Sequence, residues 1–270
     1  MKSKTEINQE FPTFWQAALV ILSLILLEYF VMAFLMDLLK LRRSDYFRVW
    51  GLATLMGNAF VFNALLNHKQ ITYKNLFHKS SNSLSATIGL LILPIAMVVP
   101  ALILTDIAMM SVVETLFPMS RAQELMFERM MSPDIGMILM VCFLAPFLEE
   151  MLFRGIILRS FAHQYSTKNA IILSSLLFGA AHLNIYQFVG ATFTGLLLGW
   201  LYVRTHSIWP CIILHAFYNS SCMIFSNLLS QGESDYAQSL PFYIWLAVFS
   251  LGFIGTTALW QILQVNRKMY

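Results

Sequence analysis

Charged residues are scarce in this sequence. Asp, Glu, Lys and Arg make up 11% of the 270 residues, against 58% hydrophobic residues and a mean hydropathy of +0.68. Because soluble domains average about 25% charged residues, the composition excludes an ordinary soluble enzyme and indicates a polytopic membrane protein. The net charge is only +3 and no run of Lys and Arg occurs, so we expect no nucleic-acid partner.

Cysteine is nearly absent too. Cys142, Cys211 and Cys222 are odd in number, lie in apolar stretches and form no CxxC pair. This excludes a disulfide framework and a zinc site built from thiolates. The first apolar segment follows Lys2 and Lys4 but has no small-residue cleavage site, so we expect an uncleaved membrane span rather than a signal peptide.

Long apolar segments dominate the rest of the chain. Eight of them are long enough to cross about 30 Å of hydrocarbon as helices. The sequence therefore predicts an all-α, polytopic membrane protein with about eight transmembrane helices, in which residues 1–270 form a single membrane domain. The fifth and sixth segments are joined by "HLNIYQ", where we expect a tight or partly re-entrant turn. The segments are 13–37, 47–67, 84–105, 136–158, 169–184, 187–203, 207–227 and 242–264.

The loops predict the orientation. With both termini in the cytoplasm, the inside segments hold 11 of the 17 Lys and Arg residues and the outside segments hold 6. The positive-inside rule favours this arrangement, although the basic loop at 40–48 would prefer the inside. The longest loop, 106–135, contains "SRAQELMFERMM", which predicts either an amphipathic helix at the membrane interface or a solvated loop helix.

The stretch "APFLEEMLFRG" places three charges in one of the most apolar segments. Each charge costs about 2.5–3.5 kcal/mol at the centre of a membrane helix. Glu150 and Arg154 are four residues apart with the acid first, which favours an ion pair on a helix. Glu149 points roughly 100° away and stays free to act. A purely structural role, in which both acids pair with Arg154, is the alternative.

Two later segments each carry a histidine. "FGAAH" places Phe178 and His182 one turn apart, and "HAFYN" does the same for His215 and Asn219. Each group also has a structural explanation, as a packing histidine or as a polar contact between helices. Counted from one membrane face, however, Glu149, His182 and His215 lie at similar depths of roughly 12–20 Å. This agreement in depth predicts one functional pocket.

The ordered set "EEMLFR", "FGAAH", the glycine pair Gly195-x-x-x-Gly199 and "HAFYN" resembles the CAAX-protease and bacteriocin-processing family, also called Abi. The pattern of that family is EExxxR, FxxxH and HxxxN on consecutive membrane segments. The resemblance covers about 136–227, the predicted catalytic core, whereas residues 1–135 match only as general hydrophobic spans. The glycine pair is expected to let its helix pack closely on a neighbour.

The resemblance implies an eight-helix intramembrane endopeptidase with a cavity open to the cytoplasm. By position, Glu149 would be the catalytic glutamate and His182 would help to hold the water. Glu150 and Arg154 match the second acid and the arginine, and the oxyanion-side pair would be His215 and Asn219. No cofactor is expected. The implied substrate is a membrane-associated peptide or protein, and with no eukaryotic targeting signal we expect a bacterial plasma membrane.

Three alternatives remain open from the sequence. Glu149, His182 and His215 could instead ligate Zn²⁺ in a metalloprotease, although HExxH is absent. A proton-relaying transporter would use the same carboxylates, but no inverted repeat is visible. A non-enzymatic bacteriocin self-immunity protein would use the motifs only to hold the fold.

One further acid lies in the first span. Glu28 occurs midway along that segment, in "ILLEYF". We interpret it as the partner of a polar residue on a neighbouring helix rather than as part of the catalytic site. Asn58 and Asn63 on the second span are the candidate partners.

Overall fold

The structure is a computed structural model, and it describes residues 10–42, 45–231 and 242–265. This part of the chain forms ten helices and no strand, apart from an isolated bridge between His78 and Ser207. The helices are α1 (Phe14–Leu38), α2 (Tyr46–Lys69), α3 (Tyr73–Phe77), α4 (Leu84–Leu116), α5 (Arg121–Met130), α6 (Ile135–Gln164), α7 (Thr167–Ala180), α8 (Ile185–Thr205), α9 (Trp209–Gln231) and α10 (Phe242–Val265).

Six of the helices within the described ranges are long and apolar enough to cross a membrane: α1, α2, α4, α6, α8 and α10. The all-α, multi-pass prediction is confirmed. The other two predicted segments also form helices. However, α7 has only 14 residues, or about 21 Å of length. Helix α9 is continuous, but polar side chains such as His215 and Asn219 interrupt its apolar sequence.

The helix α6 lies at the centre of the bundle. Its consecutive residues Ile156, Ile157 and Leu158 have no exposed area, so every face of the helix is covered at this level. The outer helices differ, because most of α1 and α10 faces outward and exposes large apolar side chains such as Phe30 and Phe253. Such surfaces suit lipid contact, and they leave α6 to carry polar groups away from lipid.

The loop predicted at 106–135 begins later than expected. Helix α4 continues to Leu116, so the expectation of a loop over 106–116 is wrong. The run "DIAMMSVVETL" is mostly apolar. Asp106 is half-buried and its carboxylate is hydrogen-bonded to Tyr218 of α9, so this acid does not force the helix to end at its position. The predicted loop helix is present as α5, capped by Ser120 and Gln123, and none of its residues is buried.

The tight turn predicted at "HLNIYQ" is confirmed. Helix α7 ends at Ala180 and α8 begins at Ile185, so four residues reverse the chain. Leu183 takes a left-handed conformation with φ of 57°, and the Asn184 side chain accepts a 2.8 Å hydrogen bond from the Gln187 amide. This cap fixes the start of α8 and holds α7 and α8 side by side.

Helix α6 has an irregularity that the hydropathy pattern does not predict. Two π-helical segments, Ile138–Leu144 and Phe153–Leu158, flank the regular stretch Ala145–Leu152 that carries both glutamates. A π-helix bonds each carbonyl to the amide five residues later, and five residues after Val141 stands Pro146, which has no amide hydrogen. The Val141 carbonyl is therefore left available to another helix.

Candidate active site

Glu150 and Arg154 form the buried ion pair that their spacing predicts. Arg154 Nη1 donates to Glu150 Oε1 at 2.9 Å, and the two side chains are 1% and 0% exposed. The same guanidinium donates from Nη2 to the Gly195 carbonyl at 3.2 Å and lies 4.5 Å from the centre of the Phe178 ring. Arg154 thus connects α6 to both α7 and α8.

The glycine pair of α8 makes these contacts possible. A Cβ on Gly195 would lie 3.1 Å from the Ser175 Cβ, and one on Gly199 would lie 3.0 Å from Ile171 Cγ2. Both neighbours belong to α7, so the close helix contact expected from Gly195-x-x-x-Gly199 is present. This approach brings the Gly195 carbonyl and the Phe178 ring to Arg154.

His215 links α9 to the two glutamates of α6. Its Nδ1 donates to Glu150 Oε1 at 2.9 Å, and its Nε2 lies 3.9 Å from Glu149 Oε2. Glu150 Oε1 therefore accepts two hydrogen bonds, one from Arg154 and one from His215. Glu149 keeps 31% of its side chain exposed and is the accessible member of the pair.

Asn219, one turn after His215, is held by the irregular part of α6. Its Nδ2 donates to the Val141 carbonyl at 2.9 Å, which is the carbonyl that Pro146 leaves without an amide partner. This contact orients the amide and uses one of its two hydrogens. Asn219 and His215 therefore both contact α6, Asn219 at Val141 and His215 at the two glutamates.

His182 joins the same cluster through Phe178. The carbonyl of Phe178 accepts a 2.9 Å hydrogen bond from His182 Nδ1, so the neutral ring keeps its lone pair on Nε2. The Phe178 ring meets His182 edge-on at 5.3 Å between centroids and His215 edge-on at 5.7 Å. Phe178 is 2% exposed, and its ring lies between the two histidines. The Arg154 guanidinium lies over the face of the same ring.

Glu28 has the partner expected for it and also a neighbour that was not expected. Asn58 Nδ2 donates to Glu28 Oε1 at 2.7 Å, whereas Asn63 bonds to Asn67 and is not the partner. The Glu28 carboxylate also interacts electrostatically with Glu149. No sequence pattern indicates this proximity, because it arises from the packing of α1 and α2 beside α6.

Among residues 10–42, 45–231 and 242–265, no group of three or more His, Cys, Asp or Glu side chains has an arrangement that could hold a metal ion. The zinc alternative of Glu149, His182 and His215 is not among such groups, and it remains a prediction. Cys142, Cys211 and Cys222 are all free thiols.

Comparison with known proteins agrees with the motifs. Residues 131–221, which include all six candidate site residues, match the family described as type II CAAX prenyl endopeptidase Rce1-like. A curated protein of Bacillus subtilis (strain 168), named "Putative membrane peptidase YdiL", is 32% identical over 88 residues, which are 33% of this chain and 36% of that protein. The chain thus matches about a third of its relative's length. No solved structure matches. The resemblance to the CAAX-protease family is confirmed for this region.

Proposed function

We propose that this protein is an intramembrane endopeptidase in which Glu149 activates the water that attacks a peptide bond. The observation that supports this most directly is the contrast between two adjacent glutamates. Glu150 is fully buried and bonded to Arg154 and His215, whereas Glu149 remains 31% exposed. A general base must reach water and substrate, and we assign that role to Glu149 because it is the exposed member of the pair, with Glu150 as the structural anchor.

His182 completes the water site in this proposal. Its Nδ1 proton is engaged by the Phe178 carbonyl, so the neutral ring presents Nε2 as a hydrogen-bond acceptor. A water held between Glu149 and His182 Nε2 would donate one hydrogen to each. Proton transfer to Glu149 then produces the nucleophile, and the protonated glutamate returns this proton to the leaving amine.

His215 and Asn219 would stabilise the oxyanion. Because His215 Nδ1 already donates to Glu150, its Nε2 can donate only when the ring is an imidazolium. The second amide hydrogen of Asn219 is the other donor, aligned by the Val141 contact. Donors fixed in advance lower the cost of charge development in the transition state.

The substrate we propose is a membrane-associated peptide or protein, of the CAAX type or of the bacteriocin or signal-peptide type. The family match over 131–221 supports this class. We propose further that the site opens to the cytoplasm of a bacterial cell. The excess of Lys and Arg in the loops on that side supports the orientation.

The experiment is a comparison of membrane peptide profiles from cells carrying the wild type, Glu149→Gln or the control Glu114→Gln, which changes an exposed acid at the end of α4. We expect the uncut substrate to accumulate only with Glu149→Gln. A Glu149→Gln profile identical to that of the wild type would contradict the proposal. A self-immunity protein acting without catalysis would also keep its phenotype in this variant.

A further inference from the structure

A groove of about 200 Å³ lies at the end of the bundle where α4 begins and where α8 and α10 end. Ser80 and Asn82 precede α4 and Arg204 lies in the last turn of α8, whereas Leu90 and Leu91 lie about two turns along α4. The distance between Ser83 and Leu90 along α4 is about 10 Å, so the groove changes from polar to apolar over about two helical turns. Its lining includes Ser80, Asn82, Leu90, Leu91, Arg204 and Ile262.

Among the described residues that line this groove, Arg204 is the one cation, and no acid accompanies it. Its side chain is half-buried, and within the described ranges no hydrogen bond or ion pair engages its guanidinium. Three other arginines have protein partners: Arg154 pairs with Glu150, Arg121 pairs with Glu124 and Arg159 donates to the Asn75 carbonyl. A half-buried guanidinium without a protein partner is suited to an anionic ligand.

The surrounding surface has the same sign. Lys79 and Arg159 lie at this end of the bundle, and together with burial, the larger cause, they lower the pKa of His206, two residues beyond Arg204. This is also the face that the distribution of Lys and Arg assigns to the cytoplasm, where the bilayer leaflet is rich in anionic lipid. The local field therefore favours a negative ligand.

Two stacked tryptophans lie on α8 and α10, close in sequence to the groove residues Arg204 and Ile262. Trp200 and Trp260 stack with 6.1 Å between ring centroids and an angle of 9°, and Trp260 is 54% exposed. Trp200 precedes Arg204 by one turn of α8, and Trp260 precedes Ile262 on α10. Tryptophan is enriched where the hydrocarbon meets the headgroups, so the groove lies at the depth of a lipid phosphate.

We propose that this groove binds one anionic phospholipid. The phosphate would contact the Arg204 guanidinium, with Ser80 and Asn82 as further donors, and the first part of an acyl chain would lie along Leu90, Leu91 and Ile262. Bound in this way, the lipid fastens the start of α4 to the ends of α8 and α10. This site is separate from the glutamates of α6, so its test is independent of the protease proposal.

The test measures the thermal midpoint Tm of the detergent-purified chain during titration with phosphatidylglycerol. Phosphatidylcholine of the same chain length and inorganic phosphate are titrated in parallel. We expect a saturable rise in Tm with phosphatidylglycerol, and little change with either of the other two. Equal responses to both lipids, or a full response to phosphate alone, would overturn the proposal.

The matched variants are Arg204→Gln in the groove and Lys168→Gln, which removes an exposed charge from the same face at the start of α7. Arg204→Gln should weaken phosphatidylglycerol binding about tenfold, whereas Lys168→Gln should bind like the wild type. Asn82→Ala, in an exposed loop position, should weaken it less and serves if Arg204→Gln does not fold. Unchanged binding in Arg204→Gln, or in Asn82→Ala where only that variant folds, refutes the site.

Discussion

Arg154 and Glu150 are joined by a 2.9 Å hydrogen bond inside the helical bundle, where their side chains are 1% and 0% exposed. A charge pair in this position does little for stability by itself, because both ions lose their hydration. Its effect is to fix three helices, since the guanidinium also contacts the Gly195 carbonyl and the Phe178 ring. The rotation of α6 that exposes Glu149 follows from these contacts.

Replacing Arg154 by Ala should therefore lower both the folded yield and the activity. The loss leaves Glu150 buried without its cation, at a cost of about 3–5 kcal/mol. Arg154→Lys should recover part of the yield, because an ammonium group restores the charge but not the planar fork. Yield is measured as the monodisperse fraction in size-exclusion chromatography.

The control for this change is Arg121→Ala on α5, which breaks an ion pair in which Arg121 and Glu124 are 67% and 44% exposed. Exposed pairs are screened by solvent and contribute little, so its yield should match that of the wild type. If Arg154→Ala gave the same yield and activity as Arg121→Ala, the ion pair would have no role in the fold.

Gly195 should tolerate no larger side chain. A Cβ there would lie 3.1 Å from Ser175 and 3.2 Å from Phe178, so Gly195→Val forces α7 and α8 apart and should cost about 1–3 kcal/mol. Gly89→Ala on α4 is the matched control, because a Cβ at Gly89 would meet nothing within 4 Å and alanine favours the helix. Thermal unfolding in detergent compares the two. Similar Tm values for both variants would contradict the close-packing account.

The bond between Asn58 and Glu28 is testable by a double-mutant cycle. Asn58→Leu removes the 2.7 Å donor and leaves the Glu28 carboxyl group without it, so stability should fall by about 1–3 kcal/mol. Adding Glu28→Leu should restore much of the loss, since neither polar group then remains. Asn63→Leu, at an exposed position of α2, should behave like the wild type. Strictly additive losses in the double variant would show that the two residues do not interact.

Much of this architecture could be predicted from the sequence because it depends on local spacing. The ion pair of Glu150 and Arg154 follows from four residues of helix, and the approach of α7 and α8 follows from the glycine pair and a short turn. The composition alone indicates a membrane protein. These features require only regular helical geometry.

The remaining features depend on departures from regular geometry or on contacts between distant segments. The Asn219 contact with Val141 requires a π-helical turn placed five residues before Pro146, and a hydropathy pattern gives no sign of that turn. Likewise, Glu28 in the first span lies near Glu149 in the middle of the chain, and these two residues are far apart in the sequence. The extension of α4 to Leu116 depends on a partner for Asp106 that only the folded bundle supplies.

The two histidines should differ when replaced. His215→Ala removes a 2.9 Å donor to buried Glu150, so both folded yield and turnover should fall. The His182 side chain donates to the Phe178 carbonyl, four residues earlier in the chain, and is partly exposed, so His182→Ala should keep its yield and lose turnover by about 10²-fold or more. Equal yields for the two variants would contradict the anchoring role of His215.

The most direct test of the central claim is the turnover of Glu149→Gln relative to the wild type, both purified in detergent and treated with a strong chelator. The substrate is a peptide identified by the profile comparison above, and bound metal is measured on the same samples. If Glu149 activates water directly, the wild type keeps its activity in chelator while the folded variant loses about 10²-fold or more. A wild type that holds one zinc per chain, is silenced by chelator and is restored by zinc would contradict this account, as would a Glu149→Gln variant that turns over at the wild-type rate.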